Sequence, residues 1–160
     1  DYFGRSILIV GTGIMGRRAL KKLTAISHPD VTLMNRTDKT AETLAAAEEV
    51  AHLPFTQFSS ALKNYDIVIC TTSSKVPIIY PEGCHSDKDQ LFVDLGVPRN
   101  VDTSVMDQEN LEVLTVDSLK SVIEKTFKSR SSELESVSAI MKDESHKLNH
   151  WYEMSQACHA

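Results

Sequence analysis

Apolar residues fall into two kinds of pattern along this chain, and the change between them marks its organisation. Up to about residue 116 they form short unbroken blocks: Ile7-Leu8-Ile9-Val10, Val31-Thr32-Leu33-Met34, Ile67-Val68-Ile69-Cys70 after Asp66, and Leu91-Phe92-Val93-Asp94. Such blocks are too short for helices, and a strand inside a parallel sheet, covered on both faces, needs this continuity. Residues 111–116 supply a last block, and a weaker one at residues 55–58 is also read as a strand. Between the blocks apolar positions recur at steps of three and four. Ile14, Met15, Ala19, Leu20 and Leu23 predict a first helix; Ala41, Leu44 and Ala45 predict a second, with Thr37 or Asp38 available to cap it. A short helix is expected over residues 59–64. Alternation of this kind predicts an α/β fold over residues 1–116, a doubly wound Rossmann-type parallel sheet.

The second pattern begins near Asp117. No Gly or Pro follows Pro98, and Leu119, Val122, Ile123, Phe127, Leu134, Val137, Ile140, Met141, Leu148 and Trp151 keep helical steps. They predict a long C-terminal helix over residues 117–154, with an interruption near residues 129–132. Some 35 residues at about 1.5 Å each reach roughly 50 Å, more than a small sheet can cover. The apolar stripe from Leu134 to Trp151 is therefore expected to meet a further domain or a second copy of the chain. Residues 117–160 are read as a unit leading into a dimerisation region. The chain opens on Asp1 and enters its first strand almost at once, so it is expected to be part of a longer protein.

Composition narrows the classes of function. A formal net charge of −5 argues against a general nucleic-acid footprint. No apolar run approaches the roughly 18 residues of a membrane span, and no leader pattern is seen at the start. Cys70, Cys84 and Cys158 make neither a disulfide framework nor a zinc pattern, which fits a reducing cytoplasmic location and no metal.

Chemistry concentrates at the ends of the predicted strands. Gly11-Thr12-Gly13-Ile14-Met15-Gly16 is a G-x-G-x-x-G stretch standing between a strand and a helix, the context that gives the motif meaning. Gly11 would permit a tight turn, Gly13 a close approach of backbone to pyrophosphate, and Gly16 close helix–strand packing. The pyrophosphate would lie on the free N–H groups of the helix start, those of Ile14 and Met15 among them. The second strand ends Asn35-Arg36-Thr37, where NAD-binding domains carry an acid for the ribose 2′-hydroxyl. Arg36 can instead pair bidentately with a 2′-phosphate, Thr37 can donate its hydroxyl, and Lys39 adds charge, so the cofactor expected is NADPH. Thr71, Thr72 and Ser73 follow a buried strand and are placed beside the nicotinamide ribose; ordinary turn chemistry is the alternative. Gly96, after the next strand, would admit the nicotinamide, and Arg99 either orients substrate or pairs with Asp94.

Other candidates carry less. His146 and His150 lie four apart without a third metal ligand; Cys84-His85 are adjacent residues with no oxyanion site in view. Cys70 reads as core, and Arg17, Arg18, Lys21 and Lys22 read as a solvated basic face.

Taken in order, these segments resemble the NADPH-binding domain of glutamyl-tRNA reductases. The resemblance rests on residues 11–16, on Asn35-Arg36-Thr37 with Ala41, Leu44 and Ala45, on residues 66–74, and above all on Asp94-Leu95-Gly96-Val97-Pro98-Arg99-Asn100-Val101-Asp102. It implies NADPH-dependent reduction of glutamyl-tRNA to glutamate-1-semialdehyde, for tetrapyrrole (porphyrin, 5-aminolevulinate) biosynthesis. It also implies a homodimer through the C-terminal helix and a hand-off of the product to the semialdehyde aminomutase. The family's nucleophilic cysteine lies in a separate N-terminal domain, in a Ser/Thr-Cys-Asn-Arg context that no cysteine here shares. No catalytic residue is therefore assigned within the chain, and alone it is expected to be inactive. Thr12 and Ile14 depart from the family's usual glycine-loop residues without obstructing a phosphate. The alternatives are a shikimate dehydrogenase-like NADP domain, which shares the Asn-Arg-Thr signature, and a stand-alone NADP-sensing module.

Overall fold

The structure, a computed structural model, describes residues 4–26, 30–85, 87–121, 141 and 144–145. The chain divides into two compact units, Asp1–Val116 and Asp117–Ala160. The first unit holds six strands, β1 (Ser6–Val10), β2 (Asp30–Met34), β3 (Ala51–His52), β4 (Ile67–Cys70), β5 (Gln90–Asp94) and β6 (Leu111–Thr115). Its helices are α1 (Ile14–Ile26), α2 (Asp38–Ala47) and the single turn α3 (Phe58–Ala61). The strands form one sheet in the order β3-β2-β1-β4-β5-β6, every pair parallel. Strand order reverses between β1 and β4. In open α/β sheets that reversal opens a crevice beyond the carboxyl ends of the strands, where ligands bind.

The predicted strand blocks are buried because successive side chains alternate between two covered faces. Leu8, Val10, Val68, Cys70 and Phe92 pack on one face with Phe58, Leu62, Ile79, Val101 and Val105. Ile7, Ile9, Val31 and Leu33 pack on the other with Leu20 of α1 and Ala41, Leu44 and Ala45 of α2. Each large aliphatic side chain so buried contributes about 1.5–3 kcal/mol of gross transfer energy, before conformational entropy is set against it.

Three local readings are corrected. Residues 55–58 are no strand: Phe55–Gln57 is a 3-10 turn that runs into α3, and the short edge strand β3 lies upstream, paired with Thr32 and Leu33. The Phe55 N–H is taken by the Asp38 carboxylate at 2.8 Å, and the rings of Phe55 and Phe58 stack at 5.3 Å across one helical step. Both features favour a turn over a ladder. Thr37 does occupy the cap position of α2, but its hydroxyl makes no capping bond. Ile14 and Met15, read as part of the apolar face of α1, are 74% and 47% exposed. They point away from the sheet at its carboxyl edge.

Residues 116–121 are helical, as are residues 141, 144 and 145. The remainder of the expected long helix, most of the stripe from Leu134 to Trp151, and both His146 and His150 lie outside the described residues. Among the described residues no helix is long and apolar enough to cross a membrane, and no cluster of potential metal ligands occurs.

Candidate functional site

The carboxyl ends of β1, β2, β4 and β5 each hand the chain to a loop, and the predicted site residues lie on those four loops or in the first turn of the helix that follows. After β1, Gly11 takes φ +106°, and its N–H donates to the Met34 carbonyl at 2.8 Å, binding the loop to the end of β2. A Cβ at Gly11 would stand 2.7 Å from the Thr71 hydroxyl, so the residue needs both the left-handed conformation and the missing side chain. A Cβ on Gly16 would fall 2.0 Å from the Gly11 carbonyl oxygen, which makes this glycine the condition for α1 to pack against β1. At Gly13 a Cβ would meet nothing within 4 Å. The space beside Gly13 is open, and the first N–H groups of α1 next to it have no carbonyl one turn back. Thr12 between them is buried, and its carbonyl accepts a hydrogen bond from Arg17 Nε at 3.0 Å.

The β2 tip is polar and uncommitted. Asn35 Nδ2 donates to the Thr37 carbonyl at 3.2 Å, shaping the turn. Arg36 and Thr37 are exposed, and among the described residues Arg36 makes no ion pair. Lys39 is also exposed but is paired with Glu42 at 3.2 Å. The carboxylate nearest in sequence, Asp38, accepts the Phe55 N–H through Oδ1.

The β4 and β5 tips are arranged differently. Thr71 Oγ1 donates to the backbone oxygens of Gly11 at 2.9 Å and Val10 at 3.2 Å, while Thr72 Oγ1 donates to Asn100 Oδ1 at 2.8 Å. Their hydroxyls thus hold loops together, leaving Ser73 as the exposed hydroxyl of the three. Asp94, 1% exposed, accepts N–H groups from Gly96 (2.9 Å), Asn100 (2.7 Å) and Val101 (2.9 Å). That carboxylate has no room for Arg99, which is exposed, so the Asp94–Arg99 pair is ruled out. Gly96 is glycine for an internal reason as well: its Cβ would lie 2.6 Å from the Asn100 amide.

Asn100 was missed in the sequence. Fully buried, it joins the β4 and β5 loops by accepting from both the N–H and the hydroxyl of Thr72 and donating to the Pro98 carbonyl at 3.3 Å. A usable signal was present, since an Asp closing a buried strand must recruit donors from the loop that follows it.

Neither described cysteine is poised as a nucleophile. Burial holds the Cys70 thiol far above its ordinary range and pushes Cys84 up to about 11. Cys84 Sγ donates to the Tyr80 carbonyl at 3.3 Å, and His85 Nδ1 accepts from the Asp87 N–H at 3.3 Å, so the two do not form a thiol–base pair. A cavity of about 670 Å³, with Arg5, Asp66, Gln90, Glu109 and Glu112 in its walls, lies at the amino ends of the strands, across the sheet from all four loops. A smaller one of about 340 Å³ lies between α1 and α2.

Residues 1–122 match the sequence model of the shikimate / quinate 5-dehydrogenase family. A glutamyl-tRNA reductase of Pelodictyon phaeoclathratiforme is 34% identical over 156 residues, covering 92% of this chain and 36% of its own. The chain therefore spans about a third of that curated relative's length. Among solved structures it is similar to a glutamyl-tRNA reductase from Methanopyrus kandleri, with a TM-score of 0.74 and 27% identity over 83% of this chain and 35% of that one. It is also similar to the nucleotide binding domain of glutamyl-tRNA reductase from Thermoplasma volcanium, with a TM-score of 0.66 and 27% identity over 81% of this chain and 88% of that one.

Proposed function

The chain belongs to the shikimate / quinate 5-dehydrogenase family, and from its likeness to glutamyl-tRNA reductases we propose that it is the NADPH-binding domain of such a reductase. One observation carries the choice of cofactor: the β2 tip ends in an exposed Arg36 that makes no ion pair among the described residues, and the glycine loop tied to the end of β2 is open at Gly13. A 2′-phosphate would be repelled by an acid there and is matched by a guanidinium fork. The residues fit the group. Gly13 and the first N–H groups of α1 would receive the pyrophosphate, Arg36 and Thr37 the 2′-phosphate, and Ser73 the nicotinamide ribose. Thr71, Thr72 and Gly96 act one step back, fixing the walls of that half of the crevice.

When bound, NADPH supplies a hydride. The chain's own residues bind the dinucleotide, set its orientation across the β1/β4 crevice, and keep the nicotinamide end against a rigid loop pair. We assign the thiol that captures the glutamyl group from glutamyl-tRNA to another part of the full-length protein, because the two described thiols are held protonated by burial. The reaction proposed for that protein is reduction of glutamyl-tRNA to glutamate-1-semialdehyde in tetrapyrrole synthesis. Residues 1–116 are the cofactor domain in this reading, and residues 117–160 lead by a helix into a homodimer. The reactive aldehyde favours direct hand-off to an aminomutase, in the cytoplasm. The shikimate dehydrogenase alternative shares the family model, but the reductase likeness extends over 92% of the chain.

Calorimetric titration with NADPH and NADH tests the cofactor assignment. Arg36→Ala should weaken NADPH by about 1.5–3 kcal/mol, the scale of a hydrogen bond to a charged group, and leave NADH nearly unchanged. Equal losses for both cofactors would sink the role given to Arg36.

A further inference from the structure

Arg17 lies in the first turn of α1 and is exposed, as its sequence neighbours suggest, but its side chain is tethered. Its Nε donates to the Thr12 carbonyl at 3.0 Å, so the guanidinium is held against the glycine loop. Its two terminal nitrogens have no hydrogen-bond partner and no carboxylate within ion-pair distance among the described residues. Across from it, Lys39, Thr40, Thr43, Leu44 and Ala47 of α2 complete the cavity of about 340 Å³ between the two helices. That cavity begins just after the β2 tip, since Lys39 and Thr40 follow Arg36 and Thr37 within one helical turn.

The polar groups in the cavity are not equally available. Lys39 makes an exposed ion pair with Glu42 at 3.2 Å, and the Thr43 hydroxyl donates to the Lys39 carbonyl at 2.8 Å. Among these wall residues, the terminal nitrogens of Arg17 and the Thr40 hydroxyl have no partner, and the Lys39 ammonium uses one of its three donors on Glu42. A dinucleotide with its pyrophosphate on residues 13–15 carries its adenosine ribose between the glycine loop and the β2 tip, the interval flanked in the chain by Arg17 at the start of α1 and Arg36 just after β2. A phosphate monoester dianion offers three oxygens, more than one guanidinium fork can satisfy.

Building on the NADPH assignment above, we propose that Arg17 is a specificity-determining residue that grips the 2′-phosphate from the α1 side, opposite Arg36, with Thr40 as a further donor. The chemistry favours Arg at this position. Its Nε can stay anchored to the loop while the terminal nitrogens bind the anion, whereas a lysine has one ammonium to serve both needs.

The test measures binding of NADPH, NADH and 2′,5′-ADP to the 160-residue chain, comparing wild type with Arg17→Gln, Arg17→Lys and Arg36→Ala. Arg17→Gln should weaken NADPH and 2′,5′-ADP about tenfold and leave NADH unchanged, and Arg17→Lys should fall between. Circular dichroism confirms that each variant is folded, as expected for an exposed side chain. A parallel loss of NADPH and NADH in Arg17→Gln would overturn the proposal, because Arg17 would then serve the glycine loop or the pyrophosphate. No loss for either would overturn it as well. If Arg36→Ala abolishes the preference for NADPH while Arg17→Gln keeps it, the proposal alone fails. If wild type shows no such preference, the NADPH assignment fails with it.

Discussion

The two halves of the sheet end their strands in opposite ways. Beyond β1 and β2 the loops leave polar groups without partners: the space at Gly13 is open, Arg36 makes no ion pair among the described residues, and the terminal nitrogens of Arg17 are free in the same sense. Beyond β4 and β5 nearly every polar group is answered from within. Asp94 takes three backbone N–H groups, Asn100 takes two donors from Thr72, and Thr71 reaches back to the Gly11 carbonyl. A half that must greet a polyanion does so by withholding internal partners, since donors already paired would have to be released at a cost. A half that must hold a flat ring at a fixed distance does so by being internally cross-linked. The contrast predicts where substitutions will cost stability and where they will cost affinity.

The largest effect is expected at the joint between the halves. Gly16→Ala drives a Cβ to 2.0 Å from the Gly11 carbonyl oxygen, a backbone atom that Thr71 also holds in place. With both sides of the clash fixed, the loss should be about 3–4 kcal/mol, at the upper end for overpacking, and urea denaturation would read it as a large fall in midpoint. A midpoint near wild type would show that the loop yields freely, and the account of a rigid joint would be wrong.

Next comes the closed half. Asp94→Ala strands three buried N–H donors, and a cost of about 2–3 kcal/mol follows from unmet hydrogen bonds, with relaxation of the loop absorbing part of it. Its counterpart in the open half, Arg36→Ala, should change stability by no more than about 0.5 kcal/mol while removing most of the preference for NADPH. The comparison breaks if the two variants behave alike, either both unfolding easily or both keeping wild-type midpoints.

The same contrast explains what could be seen in the sequence. The four aliphatic blocks were legible because burial on both faces leaves no polar position to break the run, and the placement of Gly11-Thr12-Gly13-Ile14-Met15-Gly16 between strand and helix was legible for the same reason. The absence of an acid at Asn35-Arg36-Thr37 could be read directly. The edge strand β3 could not: Ala51 and His52 form a two-residue strand with no periodicity to detect, and the apolar residues just after it belong to a turn. Asn100 escaped because its bonds to Thr72 and Pro98 follow no repeat along the chain, and the cue from Asp94 at the end of β5 points to the loop rather than to this residue. Arg17 reads as solvated and is exposed; what the sequence does not show is the bond that ties its Nε to the Thr12 carbonyl. Open groups announce their chemistry in the sequence, while closed networks become visible once the loops are folded together.

The smallest effect belongs to the opposite edge of the sheet, where the same two halves are joined a second time. Asp66, just before β4, accepts hydrogen bonds from the Ser6 N–H at 2.8 Å and the Ser6 hydroxyl at 2.9 Å, at the start of β1. It is also paired with Lys88, ahead of β5, and with Arg5 at 3.6 Å. The Lys88 ammonium has the largest effect on the Asp66 carboxyl; burial, next in size, opposes it, and the two Ser6 donors add to Lys88 so that the carboxyl stays well below the usual carboxylate range. A carboxyl with a lowered folded-state pKa stabilises the fold fully above its unfolded value of about 4, and that contribution is lost as pH falls from there toward the folded value. Wild type should therefore lose stability between pH 5 and pH 3 more steeply than Asp66→Asn, by on the order of 1 kcal/mol, with the variant already weaker at pH 7. Urea midpoints at the three pH values would show it, and NADPH affinity at pH 7 should be unchanged because the site lies at the other end of the strands. Identical acid limbs for both proteins would remove Asp66 as the lower clamp between the halves, leaving Thr71 and the glycine loop to hold the seam from the upper edge alone.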